Sequence, residues 1–126
     1  MSNSPILAIP EISPGQNNKS ITHNNAIVAL EAACNDTYEN STAGSSAITV
    51  SEPDCIRYFV FDFQAASGDR NIIWPSTISG QSRKRVWAVK NNTAYTLTMM
   101  SDAAGATVTL IAGSGVLLHQ VDTDIY

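Results

Sequence analysis

From residue 47 onward, apolar and polar residues alternate with a period of two in runs of four to ten. Each run closes on a cluster of turn formers. Successive side chains of an extended strand point to opposite faces, so this period commits the segment to strands. The runs cover 47–50, 55–64, 71–74, 84–90, 94–100, 106–111 and 115–121, separated by "SEPD", "ASGD", "STISGQS", "KNNTA", "SDAAGA" and "AGSG". Several short strands at this spacing predict a mainly β fold, a small antiparallel β-sandwich or barrel.

The first 46 residues read differently. Pro5, Pro10 and Pro14 deny a helix interior to residues 1–19, and "SPGQNN" is turn chemistry. An extended arm cannot satisfy its own backbone groups, and its Ile6, Leu7, Ile9 and Ile12 favour lying along another surface. Thr22 then fits an N-cap, with a helix from about His23 to Asn35. Ala26, Ile27, Leu30, Ala33 and Cys34 recur at three- and four-residue spacing on one face of it. Residues 36–46, "DTYENSTAGSS", read as a loop. The expected organisation is an N-terminal anchoring arm and helix over 1–46, then a β-sandwich domain over 47–126.

One strand stands out. In "IRYFVFDF", Phe59, Phe61 and Phe63 line one face while Ile56, Tyr58 and Val60 line the other. A strand apolar on both faces needs cover on both, from the N-terminal helix or from another subunit. Self-association is therefore expected, with a homotrimer as the expected form.

Charge narrows the function classes. The 126 residues carry a net charge of −4, and only 14% are charged; fourteen Ser, eleven Thr and ten Asn supply the polarity. An acidic balance argues against nucleic-acid binding, which needs a basic footprint. Arg83, Lys84 and Arg85 form the single basic concentration and read as a solvated start of a strand. No apolar run approaches the roughly 18 residues of a membrane span, and "MSNSPILAIPEISPG" lacks the basic start and long apolar run of a signal peptide. The sequons at Asn18, Asn35, Asn40 and Asn91 then read as chance products of composition. Cys34 and Cys55 leave any metal site half built and read as two thiols.

An enzyme reading finds little support. His23 and His119 have no acid or nucleophile at a diagnostic spacing, and no phosphate loop, nucleophile elbow or metal constellation is present. Asp122 and Asp124 are close enough for one cation, but a terminal turn explains them as well. No catalytic residue, metal or cofactor is expected. Trp74, Trp87 and Tyr95 either pack in the core or form a stacking platform for a host-surface glycan.

The opening stretch "LAIPEISPGQNNKSITHNNAIVALEA" resembles the N-terminal module of phage tail and fibre proteins and of gene-transfer-agent proteins. Leu7, Pro10, Gln16, Lys19, Thr22, Asn24, Ala26 and Leu30 carry the likeness. The later stretch "RVWAVKNNTAYTLTMMSDAAGATVTLIAGSGVLLHQVDTDIY" is similar to β modules of phage fibres, with Gly105, Val108, Leu110 and Gly113 fitting a "G-x-x-V-x-L-x-x-G" hairpin. The resemblance implies a structural virion protein, a fibre, spike or decoration subunit of head or tail, often trimeric and without a cofactor. Capsid, portal or tail components would be its partners. Leu7, Pro10, Gln16, Lys19, Thr22, Asn24, Phe59, Phe61 and Phe63 are then the candidate assembly interface, with ordinary capping inside one subunit as the alternative for the polar set. A glycan-binding module using Trp74, Trp87 and Tyr95 is the second functional expectation.

Overall fold

The computed structural model describes residues 15–16, 18–82 and 84–126, with backbone alone for 31–35. Mainly β structure with a helix near the N-terminus is what it contains. Helix α1 (Lys19–Asn35) leads directly into β1 (Thr37–Asn40). There follow β2 (Ile48–Thr49), the short helix α2 (Glu52–Arg57), β3 (Val60–Phe63) and β4 (Arg70–Trp74). A small hairpin, β5 (Thr77–Ile78) and β6 (Gln81–Ser82), precedes β7 (Lys84–Asn91), β8 (Leu97–Ser101), β9 (Val108–Leu110), β10 (Gly115–Val121) and β11 (Asp124–Ile125).

The strands form two main sheets, β1-β3-β7-β10-β11 and β2-β4-β8-β9, and neither closes into a barrel. The chain alternates between them. β1, β3 and β7 belong to the first sheet and run parallel to one another; β2, β4 and β8 do the same in the second. Six strands thus make three windings, after which β9 adds an antiparallel edge to the second sheet, and β10 followed by β11 extends the first. The expected purely antiparallel pairing is corrected to mixed sheets. Period two reports which face of a strand is buried, not the direction of its neighbour. Most of the turn clusters join strands of different sheets, so they do not make hairpins.

The inward faces meet in one core. Phe61 and Phe63 from the first sheet, Trp74 from the second, and Trp87 from the first are all essentially inaccessible. Phe61 meets Trp74 edge-on at 4.7 Å between centroids, and Trp74 meets Trp87 at 4.9 Å. The Trp74 indole N–H finds a polarizable acceptor in Met99 Sδ at 3.4 Å. Aromatic pairs in such offset geometry contribute about 0.5–1.5 kcal/mol beyond their area.

Four local expectations change. The segment 55–64 is not one strand: Ser51 caps α2 by accepting from the Asp54 amide at 3.3 Å, and Pro53 stands in the first turn. Only Val60–Phe63 pairs as a strand, so the doubly apolar strand does not exist and neither does its demand for a second cover. Phe61 and Phe63 belong to their own subunit's core, with Phe59 half-buried against it, and are withdrawn as an assembly interface. The expected loop over 36–46 contains β1, whose pairing with β3 makes Thr37 the start of the sandwich rather than residue 47. Thr22 is not an N-cap, because the helix already begins at Lys19, after Asn18 at φ 57°.

A buried arginine fixes the long link between β1 and β2. Arg70 begins β4 on the inward parity of Ile72 and Trp74, and it is 7% exposed. Its guanidinium donates to the carbonyls of Ser46 at 2.9 Å and Thr42 at 2.8 Å. Arg70→Met keeps the stem but leaves both carbonyls unpaired, and should cost about 1–3 kcal/mol in urea denaturation. An unchanged midpoint would show that water replaces the clamp.

Candidate functional site

α1 carries large apolar residues on more than one face, and this defines its surroundings. Of its 17 residues nine are apolar and eight polar, and the apolar ones include Ile21, Ile27, Val28 and Leu30. It packs on α2, and between the two lies an open groove of about 400 Å³ lined by Asn25, Val28, Ala29, Ile56 and Arg57. At 100° per residue, Leu30 sits roughly 160° round the helix from Val28, on the side away from α2. Ile21, Ile27, Val28 and Leu30 remain 57, 50, 63 and 49% exposed. Surface helices confine such residues to one stripe, whereas a helix apolar on opposite faces is suited to burial. Of the expected single stripe, Ile27 and Leu30 stay about half exposed and Ala26 is partly buried, while the side chains of Ala33 and Cys34 lie outside the described residues.

The polar fasteners separate into two groups. Gln16 Nε2 donates to Thr22 Oγ1, tying the turn ahead of the helix to its first turn, and Thr22 is buried by the contact. The Asn18 carbonyl accepts from the amides of Ile21 at 3.1 Å and Thr22 at 3.3 Å, completing the helix start. Lys19 and Asn24 are exposed and take no part in this knot. Leu7 and Pro10 lie outside the described residues.

The glycan platform does not assemble. Trp74 and Trp87 are wholly buried, so no ring face is available to a sugar, and only Tyr95 reaches the surface at 39% exposure. His23 and His119 are both exposed and belong to separate elements. Among the described residues no three His, Cys, Asp or Glu side chains gather where a metal ion would sit. Asp122 and Asp124 flank the β10–β11 turn, and Asp124 Oδ1 accepts from the Ala106 amide at 2.8 Å. The carboxylate is a loop fastener. Arg85 does not join Lys84 in a basic patch; it turns inward and donates to the Cys55 and Ile56 carbonyls at the end of α2, where a cation offsets the helix dipole. No helix among the described residues is long and apolar enough to cross a membrane.

Three polar residues that sequence reading passed over hold the ends of the sandwich. Asn91 is fully buried at the end of β7 and bonds to the β7–β8 loop, the β9–β10 loop and the end of β9. Gln120, equally buried on β10, donates to the carbonyls of Pro75 at 3.1 Å and Asp122 at 2.9 Å. Arg70 is the third. Each shares its strand's inward parity with apolar neighbours, and that is the signal that would have found it.

A scan against known protein families finds no match, and searches of curated proteins and of solved structures return no similar chain.

Proposed function

We propose that this chain is a structural, non-catalytic subunit of a tailed bacteriophage or phage-like particle: a fibre, spike or decoration protein of head or tail. Its N-terminal segment attaches it to capsid, portal or tail components, and it resides in the virion after assembly in the host cytoplasm. One observation carries the reading. The sandwich completes its own core without α1, while α1 packs on α2 and presents large exposed apolar side chains on opposite faces. Such a helix is built to be covered by something else. The knot of Gln16 and Thr22 ties the turn ahead of the helix to its first turn. Low charge and a hydroxyl-rich surface agree with a particle component, and so does the N-terminal resemblance. The glycan reading loses its platform with Trp74 and Trp87 in the core.

Deleting residues 1–35 tests attachment. The remaining sandwich should stay folded, with stability within about 1 kcal/mol of the full chain, since surface changes away from the core cost little. Its occupancy in assembled particles should collapse. Full occupancy of the truncated chain would sink the attachment reading and move the anchor to the sandwich.

A further inference from the structure

The outward face of the five-stranded sheet carries an apolar patch that register assembles from distant parts of the chain. Thr37, Val60, Ala88 and Leu117 lie side by side across β1, β3, β7 and β10. In the next row stand Val86 and His119, and Tyr126 follows, held by two backbone hydrogen bonds to His119 at 2.9 Å. Leu117, Tyr126 and Val86 are 62, 61 and 41% exposed. Their strand neighbours Leu118, Trp87 and Val89 fill the core, so nothing in the sandwich needs the outward set. On the other side of the apolar rows runs a charged one, Glu39, Asp62, Lys90 and Gly115.

The order of charges identifies the occupant. Two carboxylates stand at one end of the row and an ammonium beside them, so a half-turn about an axis parallel to the strands, between β3 and β7, makes the row its own complement. Lys90 then meets the partner's Asp62, and Asp62 meets the partner's Lys90, while Val60 and Ala88 pack across the axis. Lys90 is exposed and enters no ion pair at home, although Asp62 is its register neighbour. Asp62 is held on the face by Asn92 Nδ2 at 2.7 Å and Gln64 Nε2 at 3.2 Å. With strands about 4.8 Å apart and alternate residues about 6.7 Å apart, three rows over four strands project about 390 Å². Side-chain relief raises that towards the roughly 600 Å² per partner at the low end of specific interfaces. Aligned sheets cross at about 30°, an offset that a lysine stem spans.

We infer that this face binds a second copy of the chain, as an isologous dimer with the two five-stranded sheets face to face. The inference stands apart from the virion reading and concerns the isolated protein. Sedimentation of the full chain at micromolar concentration should give a dimer. Leu117→Asp, at an exposed position, should weaken it by roughly a hundredfold, because the two-fold counts each change twice. Lys90→Glu and Asp62→Lys should each weaken self-association, and mixing the two variants should restore a dimer, since every cross-axis pair is then again of opposite sign. Circular dichroism of each variant verifies the fold. A monomeric wild-type chain would overturn the inference, as would association indifferent to Leu117→Asp or a mixture that fails to recover.

Discussion

Asn91→Leu is expected to destabilise the protein by about 3–5 kcal/mol, the loss that follows from breaking a fully satisfied buried network. The Asn91 amide nitrogen donates to the carbonyls of Tyr95 at 2.8 Å, Leu110 at 3.1 Å and Ile111 at 3.1 Å. Its carbonyl oxygen accepts from the Thr93 amide at 3.0 Å and the Thr93 hydroxyl at 2.7 Å. One side chain thus ties the β7–β8 loop to the β9–β10 loop, across both sheets. Leucine matches the volume but abandons five polar partners where water has little access. Equilibrium urea unfolding measures the loss, and a change below about 1 kcal/mol would mean that the loops re-pair among themselves. The same burial keeps the Asn91 sequon out of reach in the folded chain.

Gly105→Ala should be nearly as damaging, at about 2–4 kcal/mol, by overpacking against backbone. A Cβ at Gly105 would stand 2.1 Å from the Thr123 carbonyl oxygen and 2.6 Å from its carbon. Neither atom can rotate aside, because the neighbouring Ala106 bonds to the same turn through Asp124 Oδ1 at 2.8 Å and the Ile125 amide at 3.0 Å. Gly113→Ala is the informative companion. Gly113 has φ 75° and open space around it, so its cost is only the conformational penalty of about 1–2 kcal/mol. Thermal unfolding of the two variants should rank them in that order. The reverse ranking would place the constraint in dihedral angle rather than in close approach. The two glycines of the "G-x-x-V-x-L-x-x-G" pattern are therefore needed for different physical reasons.

Strand positions were legible because the burial of β4, β7, β8 and β10 follows the alternation almost residue by residue. What alternation cannot carry is neighbour identity, and so the parallel windings were hidden. Helix α2 hid for a different reason. "SEPD" reads as a turn cluster, yet Ser51 followed three residues later by Asp54, with proline between, is also how a helix starts. Calling it a turn lent "IRYFVFDF" a length and a doubly apolar character that it does not have. For the site, the sequence exposed the small-residue helix but not its seat on α2, which depends on where β1 directs the chain. The tryptophans illustrate the same limit: composition admits both a sugar platform and a core, and only the meeting of two sheets decides for the core.

The alternation of the chain between sheets bears on how the molecule comes into being. In the three windings no strand pairs with its successor in sequence: Thr37 waits for Val60, Val60 for Ala88, and Ile48 for Ile72. Each pairing closes a loop of more than twenty residues before any ladder bond forms, and the entropy of that closure must be met first. Folding dominated by such distant partners belongs in the millisecond-to-second class rather than the microsecond one. During that interval β1 and β3 expose open edges on a chain that is being made in many copies. A chain of this design gains from slow, dilute release, and its yield on expression will depend on how crowded the half-wound chains become.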